Sequence, residues 1–301
     1  MIGYMALLSD EEKDGVAEVL YKGFQGKAIE NIQTYEFSDK MATAKIEEWF
    51  FGDGVAFPHD AEIGHDGLFY AVDEGHDVVW EIHPESGNVI KYPLPEIPGI
   101  PKGGKFSALQ LPIGVYNGKH GPHSMAEDDE GNFWITNALS GYLSSFNIHT
   151  KEQKMYEIPG PALYPHTIRR DKQGIIWFTL AVSNQVARFD PTSEEFTIID
   201  LPSNGFVRWL SETSMPLALK FFAAWPEKNY PIVISPQRWA DQGRNVINLP
   251  YGIDVNPTDG SIWYAKLLSN KLGRIDPNTL EVREIDIPLT RIFHEGLNKN
   301  G

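Results

Sequence analysis

Three histidines stand in one recurring context, each directly after a proline: His59, His123 and His166. Tyr251 takes the same place a fourth time. Imidazole changes charge near neutral pH, so a histidine so placed can take up or release a proton during catalysis. Neutral imidazole is also a good ligand for transition metals, Zn²⁺ or Fe²⁺ ahead of Mg²⁺, which prefers oxygen. His120 lies three residues before His123, in Asn-Gly-Lys-His-Gly-Pro-His, and the two form a candidate metal clamp. The alternative for His120 is a solvated loop. For each of the other three, the alternative is a structural histidine bonded to the backbone of the next repeat. The chain has no cysteine, which excludes disulfides, thiolate metal sites and cysteine nucleophiles.

What places these residues alike is a repeat. Pro58–Pro95, Pro122–Pro159, Pro165–Pro202 and Pro250–Pro288 follow one plan and have nearly equal lengths. A first strand follows each opening proline, and a turn holds Gly67, Gly131, Gly174 or Gly260. A second strand carries Tyr70, Trp134, Trp177 or Trp263, aromatics that recur as packing between units. A third strand runs into Asp-Pro at Asp190 and Asp276, and a fourth ends at a proline. Alternating apolar residues mark half-buried antiparallel strands. Four strands per roughly 40 residues, repeated, predict an all-β fold, a β-propeller of four-stranded antiparallel blades. The opening turns then lie at one rim of the central channel, with His123 and His166 expected as nearest neighbours.

Two long segments interrupt the plan. Residues 96–121 are rich in Gly and Pro. Residues 203–249 read as a helical or irregular insertion, with a degenerate fifth blade as the alternative. Long irregular segments in compact domains are commonly lids or binding loops. Phe206, Trp209, Phe221, Phe222 and Trp225 would give such a lid an apolar underside, and Trp209, Trp225 and Tyr251 are candidate substrate contacts. The expected organisation is a helical segment and linker over 1–44 and a propeller over 45–301. Lys45–Phe51 matches the outer strand of a blade whose inner strands are missing, so the ring is expected to be incomplete.

Acidic residues outnumber basic ones by 41 to 26, a formal net charge of −15. Such a surface repels nucleic acid and anionic lipid and suits cationic ligands or divalent metals. No apolar run approaches the roughly 20 residues of a membrane helix. Asp10, Glu11, Glu12, Lys13 and Asp14 break any signal-peptide pattern. The chain therefore reads as periplasmic or extracellular if a leader has been removed, and as cytoplasmic otherwise.

The blade pattern P-[HY]-x-I-x-x-D-x-x-G-x-I-W-[FY]-[TA], closing through N-x-[VL]-x-R-[FI]-D-P, resembles the virginiamycin B lyase (streptogramin lyase) family. Pro165–Pro202 and Pro250–Pro288 fit it best. The resemblance implies a seven-bladed ring and an enzyme that opens a cyclic depsipeptide by eliminating across its ester. It further implies a histidine base, here among His59, His123 and His166, and Mg²⁺ held by acidic residues. Family blades commonly carry a glutamate after the second-strand threonine. The matching positions here are Asp73, Asn137, Leu180 and Lys266, so only Asp73 keeps a carboxylate for the metal. Asp60, Glu127 and Asp254 are further acids near the channel turns. That departure favours a second reading, a ligand-binding or sensor propeller without catalysis. Ser9–Glu12 opens a capped helix that resembles the terminal helix of a class I cytochrome c, which would imply a haem domain upstream.

Overall fold

The computed structural model describes residues 48, 52–107, 118–224 and 246–286. The chain divides into Met1–Phe50 and Phe51–Gly301, and all the blades belong to the second unit. The expected N-terminal helix with its cytochrome likeness, most of Lys45–Phe51, and Trp225 lie outside the described residues. Among the described residues sixteen strands form four blades. Blade 1 is β1 (Pro58–Ile63), β2 (Phe69–Asp73), β3 (Val78–His83) and β4 (Asn88–Pro93). Blade 2 is β5 (Pro122–Glu127), β6 (Asn132–Asn137), β7 (Tyr142–Asn147) and β8 (Gln153–Glu157). Blade 3 is β9 (Pro165–Arg170), β10 (Ile176–Leu180), β11 (Gln185–Asp190) and β12 (Glu195–Asp200). Blade 4 is β13 (Pro250–Val255), β14 (Ile262–Lys266), β15 (Lys271–Ile275) and β16 (Val282–Asp286). Each is an antiparallel meander in sequence order, and β1, β5, β9 and β13 lie side by side as the inner strands. The aromatic column is thus on the strand second from the centre, as expected.

One clip explains why each first hairpin closes. Asp128 accepts the backbone N–H of Glu130 and Asn132 at 3.0 and 2.8 Å and the indole Nε1–H of Trp134 at 2.7 Å. Asp171 repeats this with Gln173, Ile175 and Trp177 at 2.9, 2.9 and 2.8 Å. In blade 1 Asp66 takes the Tyr70 hydroxyl at 2.7 Å; in blade 4 the Ser261 hydroxyl passes the link from Trp263 to Asp259. The clip satisfies the turn amides and pins the ring that fills the space between blades. Apolar clusters follow at every blade boundary: Tyr70, Met125 and Phe133 between blades 1 and 2, Trp134, Phe178 and Phe189 between 2 and 3, Trp177, Ile253 and Tyr264 between 3 and 4.

A second recurring feature is a break in register where the inner strand meets the second. Pro58 pairs with Asp73 but Asp60 with Val72; Pro122 pairs with Asn137 but Ser124 with Thr136. The same shift occurs between Pro250 and Ile253 and between Phe178 and Leu180. The residue after the opening proline is therefore a bulge position in every blade. A bulge releases a residue from the ladder and re-aims its side chain.

The described part of 203–249 contains helix α1 (Phe206–Ala223) and none of the strands of a fifth blade. Its packed face repeats as Glu212, Met215 and Leu219: Met215 and Leu219 join Leu139, Leu163, Tyr164 and Val182 at the turns of blades 2 and 3, and Glu212 accepts the Asn248 backbone N–H. Of the expected apolar underside, Phe222 is partly buried on the packed side, whereas Phe206, Trp209 and Phe221 are at least half exposed. Helical periodicity sets those aromatics opposite the packed stripe. The end of the 96–121 insertion is tied to blade 1. The Asp77 carboxylate accepts the backbone N–H groups of Lys119, His120 and Gly121, and a Cβ on Gly118 would come 2.4 Å from the Glu74 carbonyl oxygen.

Trp177→Phe keeps the ring but leaves the buried Asp171 carboxylate without its indole donor. We expect a loss of about 1–3 kcal/mol in urea unfolding. Trp263→Phe, whose acceptor is a hydroxyl that can rotate, should cost less. Equal losses at the two sites would refute the clip as the cause.

Candidate functional site

The bulges bring the three histidines and Tyr251 into one column. Ring centres are 3.6 Å apart for His59 and His123, 4.1 Å for His123 and His166, and 3.7 Å for His166 and Tyr251. His123 and His166 are neighbours as expected. His59 and His123 are just as close, because residues 96–121 are inserted between adjacent blades without separating their inner strands. Tyr164, at φ +59°, stacks on His166 and meets His123 edge-on at 5.8 and 5.6 Å. Tyr164 and Met215 both pack against the apolar cluster of Phe106, Leu139, Leu163 and Leu219, so helix α1 shares a core with the residue beside these histidines.

The structural alternative for these histidines holds for two of them. His59 Nδ1 lies 3.0 Å from the His123 carbonyl, and His166 Nδ1 lies 3.2 Å from the Tyr251 carbonyl. Donation from Nδ1–H to these acceptors leaves the Nε2 lone pair available for a proton or a metal. In blade 2 the Thr136 hydroxyl serves the His166 carbonyl instead, at 2.7 Å, and His123 Nδ1 has no partner among the described residues. His166 Nε2 has none either.

Burial governs the protonation of this column. His123 is 1% exposed and held well below the ordinary imidazole value, first by desolvation and then by His166 and His59. His166 is lowered to about 4, again first by burial and then by His59. Glu74 is pushed up to about 8 by burial, with Asp73 and Asp77 adding to it. Near neutral pH both imidazoles and the carboxyl are uncharged.

Glu74 was invisible to the pattern reading, which favoured its neighbour Asp73. The Asp73 carboxylate is fully engaged in the fold: Oδ1 accepts Phe57 N–H and Gly75 N–H at 2.8 and 2.9 Å, and Oδ2 bonds Trp80 Nε1 and His76 Nδ1, both at 3.0 Å. Glu74 is instead 1% exposed, and its Oε1 lies 3.5 Å from His123 Nε2 without a hydrogen-bond partner among the described residues. The signal was present in Asp-Glu-Gly: an aspartate two residues before a turn glycine amide closes an Asx-turn, leaving the glutamate as the spare carboxyl. His59, Glu74 and His123 each bring one donor atom within 4.8 Å of one another, the one such group among the described residues.

His120 stands outside that group. Its Nδ1 faces the Ser140 hydroxyl at 3.2 Å, and its ring meets Tyr142 edge-on. Asp60, Glu127 and Asp254 are likewise used locally, by Ser124, His65 and Arg169. The other positions matching the family glutamate are absorbed too. Asn137 bonds Ser144, Leu180 is core, and buried Lys266 pairs with Glu284 at 2.7 Å. Tyr251 remains 40% exposed at the end of the column.

No protein-family model matches the chain, and no curated protein matches it in sequence. Solved structures do match in fold. The virginiamycin B lyase of Staphylococcus aureus aligns with a TM-score of 0.51 at 19% identity, over 76% of this chain and 55% of that one. A streptogramin B lyase aligns with a TM-score of 0.51 at 20% identity, over 76% and 54%. The chain spans about half the length of these structures. At such identities the likeness is one of architecture: the chain carries a β-propeller of the virginiamycin B lyase fold.

Proposed function

We propose that the histidine rim binds a divalent metal through His59, Glu74 and His123 and works there as a carbon–oxygen lyase on a small cyclic peptide or ester. The observation that carries this reading is the buried Glu74 carboxyl, with an unpartnered oxygen facing two imidazoles. A buried polar atom without a partner is rare and commonly marks a missing ligand. The donor set of two imidazoles and one carboxyl fits Zn²⁺ or Fe²⁺ better than the Mg²⁺ implied by the family resemblance. Such an ion supplies a Lewis acid that polarises a carbonyl and takes up developing negative charge.

The residues of the chain handle the proton. His166 is neutral at pH 7, and its Nδ1 contact to the Tyr251 carbonyl leaves the lone pair on Nε2, a buried atom without a hydrogen-bond partner among the described residues. It can accept the proton α to a carbonyl while the β C–O bond breaks, giving an alkene and a carboxylate with the proton held on His166. Tyr164 and Tyr251 flank it with flat apolar faces that orient a ligand and exclude water. A second reading, ligand binding without turnover, is favoured by one observation: Asp73, Asn137, Leu180 and Lys266 are all spent on the fold.

Calorimetry on EDTA-stripped protein should show Zn²⁺ binding at least about tenfold tighter than Mg²⁺, and Glu74→Gln should weaken Zn²⁺ by about tenfold or more. Zn²⁺ binding untouched by Glu74→Gln would sink the assignment. With cyclic depsipeptide and lactone substrates, His166→Ala should lower turnover by about 10²–10⁴. Binding of such compounds with no turnover under any metal would move the chain to the second reading.

Protonation gives a separate check on the metal-free protein. Glu74 has its pKa raised in the fold from 4.5 to about 8, so the stability it contributes is complete below 4.5 and is lost as pH rises to 8. Glu74→Gln should flatten that slope in thermal melts. His166 has its pKa lowered from 6.5 to about 4, so its contribution is complete above 6.5 and is lost as pH falls through 4. An unchanged slope from pH 5 to 8 in Glu74→Gln would contradict the buried neutral carboxyl.

A further inference from the structure

Residues 96–121 do more than connect blades 1 and 2. The Gly103 N–H donates to the Gly118 carbonyl at 2.8 Å, so the two arms of the insertion meet. Between them stands one turn of 3₁₀ helix, Gly104–Phe106. Lys105 N–H donates to the Leu139 carbonyl at 2.8 Å, and a Cβ on Gly104 would come 2.3 Å from that same oxygen. The turn therefore lies flush on the rim end of blade 2. From there it grips the link that opens blade 3 at two points. Lys105 Nζ donates to the Pro161 carbonyl at 2.8 Å. The buried Phe106 ring meets the Tyr164 ring edge-on, at 5.8 Å and 85°. Leu219 of helix α1 belongs to the same apolar cluster as Phe106.

The gripped link needs holding. Ala162 and Tyr164 both have positive φ, +44° and +59°, and such backbone in a residue other than glycine persists only where its surroundings over-determine it. At the place that matches Tyr164, blade 2 has Gly121, which takes φ +61° at no steric cost. A half-buried ammonium is costly too, and that of Lys105 is spent on this link. We propose that Lys105 and Phe106 are positioning residues of the histidine rim: they clamp Pro161–Tyr164 and, through the Tyr164 ring, fix the pitch of His166. His123 and Tyr251 neighbour His166 along the column, whereas Tyr164 meets it from off the column and touches His123 as well. A base works only when its lone pair is closely aimed, so a displaced Tyr164 costs rate more than affinity. The catalytic part of this proposal rests on His166 acting as the base; the structural part does not.

The clamp is read from ring signals in NMR spectra of the metal-free protein, assigned by single substitutions. In the parent, ring-to-ring cross-peaks should link Phe106 to Tyr164 and Tyr164 to His166. Phe106→Leu and Lys105→Met should each shift the ring signals of His166 and His123. Those of His83, which ends β3, and His149, just after β7, should stay in place. Lys105→Arg, which keeps a donor for the Pro161 carbonyl, should restore the parent signals. With any lactone or cyclic depsipeptide that the parent turns over, Phe106→Leu should lower kcat by about tenfold or more and leave KM within about twofold. Absence of either cross-peak in the parent would overturn the proposal. So would unmoved His166 and His123 signals in a folded Phe106→Leu or Lys105→Met, equal shifts at His83 and His149, or a raised KM at unchanged kcat. A parent that turns over none of these compounds ends the lyase reading, and the ring signals then decide the clamp alone. If neither variant folds, the parent cross-peaks decide it.

Discussion

The bulge behind each opening proline is the constraint on which the rest of the rim depends. It releases one residue per blade from the ladder and turns its side chain across the inner strands. A released carbonyl would be costly if left unpaired, and the preceding blade supplies its donor. His59 serves the His123 carbonyl, Thr136 that of His166, and Thr179 with His166 that of Tyr251. The same bonds that satisfy the backbone fix the imidazole tautomers. Fold and candidate chemistry therefore share their hydrogen bonds, and the site cannot be loosened without loosening the seams between blades.

Close stacking of imidazoles favours their uncharged forms, and desolvation lowers His59, His123 and His166 alike. Desolvation acts oppositely on Glu74, keeping it protonated. An uncharged cluster that can shed a proton to receive a cation is inexpensive to keep buried, whereas a permanent carboxylate there would need a fixed partner. Lys266 shows that second solution in blade 4, at the position that matches Asp73, where Glu284 is its standing counter-ion.

Periodic features were legible in the sequence because repetition turns a residue type into a position. The blades, their strand order, the aromatic column and the convergence of His59, His123 and His166 all follow from it. Features that occur once were not. Glu74 and Asp73 are adjacent acids, and only the turn bonds of Asp73 tell them apart. Helix α1 carries large apolar residues on both sides, so composition pointed to an apolar underside while Glu212, Met215 and Leu219 took the packed face. Tyr164 entered the rim through a left-handed backbone that no local pattern announced.

Tyr251 shows what such a rim permits over evolutionary time. It occupies the same bulge as the histidines, stacks at a similar distance and offers its carbonyl in the same way, with no change to the backbone plan. Each opening turn is thus a socket whose scaffold is indifferent to its occupant. Duplicating a blade adds a socket, and a single codon change re-equips it. Chemistry on this rim can drift by exchange of parts while the architecture stays put.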